Sequence, residues 1–121
     1  MLRVSQLAAL AMLVVVPPLA AAQELFGAIA YSDKAQKYGW ANNFPARDDA
    51  TQAALEGCAK NGPECRVVLW FRNACGALVT GPDGHGAAWA ESRKAAISKA
   101  AKLCAERSEA CKLTRSFCTG K

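Results

Sequence analysis

This chain has a single histidine, two tyrosines and two methionines, and no two of its six cysteines lie closer than seven residues apart. Those shortages exclude several chemistries. A structural zinc site is assembled from C-x-x-C pairs and closely spaced histidines. Here the cysteine spacings are seven, ten, 29, seven and seven and His85 stands alone, so no metal is expected. A membrane-spanning helix needs about 20 apolar residues. The apolar run Leu7–Val16 is cut short by Pro17-Pro18, so no transmembrane anchor is expected. The Gly-rich stretch Gly81–Gly86 lacks the Lys-Ser/Thr of a phosphate loop and leads into a strand, so no helix N-terminus receives a phosphate. No serine stands in a recognisable nucleophile motif. Asp48 and Asp49 suit a helix terminus and Asp33 and Asp83 suit turns, while Glu56, Glu91, Glu106 and Glu109 fall on polar helix or loop positions. A glycosidase would need two carboxyls facing one cleft, and nothing in the spacing supplies them. Neither catalytic residues nor a cofactor is expected. The enzyme reading would start from His85 as a base, yet His85 sits in a turn where polar residues occur for backbone reasons alone.

What is present begins with a leader. Arg3, the apolar run and Ala20-Ala21-Ala22 before Gln23 have the form of a signal peptide over residues 1–22, and no cysteine near the cut point suggests a lipoprotein. Residues 23–121 then make one small domain. All six cysteines follow the leader, an even number in an exported chain, which reads as three disulfides and a periplasmic or secreted location. Without Arg3 the domain carries 14 basic against 10 acidic residues, a net +4. That bias permits an anionic envelope polymer or an acidic protein as partner and does not call for nucleic acid.

The sequence repeats itself. Shifted by 49 residues, Gly27-Ala28-Ile29-Ala30 falls on Gly76-Ala77-Leu78-Val79 and Trp40-Ala41 on Trp89-Ala90. Shifted by 46, Cys58 falls on Cys104, Cys65 on Cys111 and Phe71 on Phe117. The difference reads as a three-residue deletion between the tryptophans and the paired cysteines. Two copies of one unit, over about residues 26–72 and 75–119, follow.

Each copy reads strand, hairpin, strand, helix, strand. Ala28–Tyr31 and Tyr38–Ala41 flank the polar turn 32–37, Asp48–Lys60 is a helix with acidic residues at its start, and Arg66–Phe71 is a strand rich in β-branched and aromatic residues. In the second copy Ser92 is placed to cap a helix over Arg93–Glu106, and Lys112–Cys118 is the last strand. The helices carry narrow alanine stripes: Ala50, Ala53, Ala54 and Cys58, then Ala96, Ile97, Ala100, Leu103 and Cys104. The expected fold is α+β, with duplicated ββαβ units forming a mostly antiparallel six-stranded sheet and both helices on one face. Short helix-to-strand turns favour Cys58–Cys65 and Cys104–Cys111, leaving Cys75–Cys118 to tie the junction of the copies to the C-terminus.

The runs Gly27–Ser32, Tyr38-Gly39-Trp40 and Cys65–Leu78 (CRVVLWFRNACGAL) resemble the family catalogued as domain of unknown function 4189, over nearly the whole domain. The resemblance implies a small exported bacterial protein with paired cysteines. It transfers no catalytic residues.

A candidate binding surface comes from the strand Arg66–Arg72. Alternation puts Val67, Leu69 and Phe71 on one face and Arg66, Val68, Trp70 and Arg72 on the other. Phe71 recurs as Phe117, which marks its face as core under the helices. Trp70 aligns with Ser116, so the face bearing Arg66, Trp70 and Arg72 departs from the repeat toward residues enriched at binding hot spots. The bland alternative is that Trp70 is covered by the N-terminal segment or the other copy, or sits in a homodimer interface. Trp40 and Trp89 recur and read as structural. The functional reading is an exported binding module of inhibitor or immunity type, acting on an envelope enzyme or toxin; a small secreted enzyme and an envelope-polymer binder are the alternatives.

Overall fold

Ala28, Ile29, Ala30 and Tyr31 are all buried, so the first strand has neighbours on both of its faces, and this two-sided burial sets the architecture. The computed structural model describes residues 11–13 and 23–120; most of the expected signal peptide lies outside them. The elements are β1 (Phe26–Ser32), β2 (Lys37–Phe44), α1 (Arg47–Ala59), β3 (Arg66–Arg72), β4 (Cys75–Gly81), β5 (Gly84–Ala90), α2 (Arg93–Ala105) and β6 (Lys112–Cys118). The α+β class, the twice-used ββαβ order and the antiparallel pairing agree with the sequence. The strands, however, form two three-stranded sheets, ordered β2-β1-β3 and β5-β4-β6, instead of one of six.

Each sheet carries its own helix. Ala28 and Ala30 of β1 meet Ala50, Ala54 and Cys58 of α1, and Cys75, Ala77 and Val79 of β4 meet Ala96, Ala100 and Cys104 of α2. The alternate residues Ile29, Tyr31, Phe71, Leu78 and Phe117 form a third cluster between the sheets. The layers therefore run helix, sheet, sheet, helix. Phe71 and Phe117 do not lie under the helices, as expected from the repeat; they fill the space between the sheets, with ring centroids 5.3 Å apart. The large buried side chains lie there, because alanines and glycines let each helix sit close to its strands, with Phe26, Phe44, Leu55 and Ile97 at the partly buried margins of the helix-side clusters. A Cβ on Gly39 would overlap the backbone of α1 at Ala54 and Cys58, and one on Gly86 that of α2 at Ala100 and Cys104.

Helix starts follow the sequence. The Ser92 side chain accepts a hydrogen bond from the Ala95 amide, whereas α1 has no side-chain cap and carries Asp48 and Asp49 in its first turn. The three disulfides are Cys58–Cys65, Cys75–Cys118 and Cys104–Cys111.

Strand register revises the internal alignment. The copy-one hairpin turns through Asp33–Gln36, and its counterpart through Pro82-Asp83 alone. A bulge in β2 then adds one residue, since Ala28 pairs with Ala41 but Phe26 with Phe44, while β5 runs unbroken from Gly84 to Ala90. The three-residue difference is thus two residues in a turn and one in a bulge. Trp40 lies opposite Ile29, whose equivalent Leu78 faces Ala87; Trp89 lies opposite Gly76. The two tryptophans are not structural counterparts.

Candidate functional site

A second bulge decides which residues of β3 share a face. Ile29 pairs with Leu69 but Ala30 with Val67, so Val68 is the extra residue. Residues directly opposite in a ladder point to the same side. Trp70 faces Ala28, on the helix side, with Arg72 beside it opposite Phe26; Arg66 faces Tyr31, on the side between the sheets. The structure brings Trp70 and Arg72 together and separates Arg66 from them. Strict alternation fails at Val68, and a single bulge moves every residue before it to the other face.

Trp70 is 44% exposed. Its ring lies 6.3 Å from Phe26, and the Arg47 guanidinium of α1 sits 5.1 Å from its centroid. Arg72 pairs with Glu24 at 3.3 Å and Arg66 with Asp33 at 3.5 Å, all on exposed or half-exposed side chains. Such pairs are worth little and exchange readily.

The duplicated layers create two equivalent seams where sheet edges lie side by side, and they are treated differently. Along β2 and β6, Trp40 rests on Phe117 at 5.1 Å and Arg115 covers its ring at 3.8 Å. Past the end of β6, Thr119 and Gly120 hydrogen-bond to Asn43. The chain itself closes that seam from Trp40 to Asn43; at its other end Gln36, Pro82 and Lys112–Thr114 line a hollow of about 440 Å³. Along β3 and β5 there is a groove of about 630 Å³ lined by Val68–Arg72 and Trp89, which is 51% exposed. Beyond it, Val68, His85, Gly86, Ala87, Leu103 and Arg107 line a hollow of about 180 Å³.

His85 is not a plain turn residue. It is buried on β5, its ring edge-on to Tyr31 at 5.1 Å, with Nδ1 2.7 Å from Asp33 Oδ1. A carboxylate only accepts, so the ring donates from Nδ1. Its counterpart is Tyr38, opposite Tyr31, not the region of Gln36. Thr80 and Thr114 hydrogen-bond at 2.7 Å nearby. Burial pushes the Tyr31 phenol above its ordinary pKa, the Asp33 charge adds to this, and the Thr80 hydroxyl partly offsets both. The dyad has no adjacent nucleophile among the cysteines, all of which are in disulfides. Among the described residues no group of three or more His, Cys, Asp or Glu side chains converges, and no helix is long and apolar enough to cross a membrane.

Sequence reasoning missed Trp89, Arg47 and Asp33. In the sequence Trp89 aligns with Trp40 and reads as structural, and Asp33 reads as a turn residue.

Residues 26–118 match the family model described as Domain of unknown function (DUF4189). The chain belongs to that family. No curated protein and no solved structure matches it. The family span takes in every strand and both helices of the described residues and all six cysteines, so the two seams and the disulfides are features of the family domain in this chain.

Proposed function

We propose that this protein is an exported, non-catalytic binding module of inhibitor or immunity type, acting on an envelope enzyme or toxin in the periplasm or outside the cell. The observation that carries the reading is Trp70, nearly half exposed between Phe26 and Arg47 with Arg72 alongside. An exposed tryptophan beside arginines is the composition of an interface hot spot. Disulfides at three places hold the surface rigid, which lowers the ordering cost of association. The test is Trp70→Ala: partner affinity falls by about 2 kcal/mol or more, while thermal stability changes little. Loss of stability with no specific loss of binding would overturn the reading.

A second reading, a small secreted enzyme, is favoured by the Asp33–His85 contact, which leaves His85 Nε2 as a candidate base. Turnover of an envelope substrate that disappears in His85→Gln, with the fold intact, would establish it. Binding to an anionic envelope polymer finds support in Arg93, Lys94, Lys99 and Lys102, all exposed on α2.

A further inference from the structure

Building on the binding-module reading, we propose that the β3–β5 seam accepts an extended segment of a partner protein, which adds as a fourth strand to the free edge of β3. The proposed segment is apolar where it passes Trp89 and acidic where it passes Arg107. β3 is an edge strand, and five consecutive residues of it, Val68–Arg72, line the groove. A stretch of backbone lining a groove offers unpaired amides and carbonyls, the template for strand addition. The opposite seam shows what such a space holds when the chain fills it: a tryptophan ring between an aromatic and an arginine. The open seam has Trp89, Phe71 and Arg72 on its walls, but among the described residues no ring and no guanidinium stacks on Trp89.

Charge and spacing select the occupant. Arg107 makes no ion pair among the described residues and lines the hollow with His85. On β5, His85 and Trp89 are four residues apart on one face, about 13 Å of extended chain. A strand running along the seam therefore meets Trp89 near Arg72, whose charge Glu24 pairs, and, four residues away, the unpaired Arg107 near the Asp33–His85 pair. A second copy is the poorer occupant: its β3, RVVLWFR, brings two more arginines to the seam and no acidic residue to meet Arg107.

The probe is a blocked peptide of about nine residues, alternating threonine and valine, with phenylalanine at one position and aspartate four residues after it, made also in the reversed order. One order should bind and slow hydrogen exchange at the β3 amides. Replacing its aspartate by lysine, or making Trp89→Ala or Arg107→Ala in the protein, should weaken binding by about tenfold or more. N-methylating the peptide's alternate amides should abolish it. Binding that leaves the β3 amides unprotected, or survives N-methylation, would overturn strand addition. So would a concentration-dependent dimer with protected β3 amides, which would assign the seam to a second copy. If both peptide orders fail while Trp70→Ala still weakens the partner complex, strand addition is wrong and the binding-module reading stands.

Discussion

Asp33 and His85 are 52 positions apart, and their side chains meet at 2.7 Å, joining the hairpin turn of one copy to the second strand of the other. The contact spans the two sheets at the polar end of the space between them, opposite the end filled by Phe71 and Phe117. Asp33 is 43% exposed at its side chain and also neighbours Arg66, so water screens part of the interaction. Asp33→Ala should lower stability by about 1 kcal/mol in denaturant titration, below the full value of a charge-assisted hydrogen bond. No change in stability would show that the tether contributes nothing to holding the sheets together.

The glycines under the helices lead to effects of opposite sign. Gly86→Ala sets a Cβ into the Ala100 carbonyl and the Cys104 amide, backbone atoms that cannot step aside, and should cost about 3 kcal/mol. Gly57, inside α1, has only ordinary contacts at 3.6 Å around an added Cβ. Gly57→Ala should stabilise by up to about 1 kcal/mol through helix propensity. Thermal melts of the two variants check both signs, and a stable Gly86→Ala would mean that the helix can lift off its sheet.

The sequence was legible where periodicity and covalent spacing speak. The helices expected over Asp48–Lys60 and Arg93–Glu106 span Arg47–Ala59 and Arg93–Ala105, and the cap at Ser92 and all three disulfides agree with the sequence. Local pattern does not encode which sheet a strand joins, and six antiparallel strands with alanine faces suit one sheet or two. Burial of β1 on both faces is visible in the apolar run Ala28–Tyr31, whereas the repeat and the alanine stripes point to one sheet with both helices on one face. The bulges at Val68 and at Asn42-Asn43 carry no sequence mark beyond an asparagine able to adopt φ 60°, yet they decide that Arg66 leaves the face of Trp70 and that Trp40 and Trp89 are not equivalent.

Tyr31 gives the stability a pH dependence. Its phenol is raised, chiefly by burial and then by Asp33, so the folded state holds the proton more tightly than the unfolded chain. This contribution is fully present below the unfolded value near 10 and is lost as pH rises through the higher folded value. Tyr31→Phe removes the titration. The stability difference between wild type and variant should be constant at neutral pH and shift against the wild type above pH 10. A difference that does not move with pH would show that Tyr31 titrates as in the unfolded chain.

The disulfides are unequal because their loops are. Cys75–Cys118 closes 43 residues, and the other two close seven each. Chain entropy gives about 4 kcal/mol for the long loop and about 2.4 for each short one. The Cys75→Ala/Cys118→Ala double variant should therefore unfold at lower denaturant than Cys104→Ala/Cys111→Ala. The reverse order would show that the short staples work by holding each helix against its strand.

Trp40 and Trp89 decide between the alignment of the sequence and that of the strands. If the two were equivalent, replacing either would cost the same. The register places Trp40 under Arg115 and on Phe117 in the closed seam, and Trp89 on the wall of an open groove. Trp40→Ala removes a ring covered on one side and stacked on another, and should cost about 2 kcal/mol, less than full burial would because the residue is 40% exposed. Trp89→Ala deletes a ring that is half in water and should change stability by no more than about 0.5 kcal/mol. Denaturant titrations of the two variants give the comparison directly. Equal losses would restore the sequence alignment and make Trp89 part of the core; a loss confined to Trp40 leaves Trp89 free for a partner.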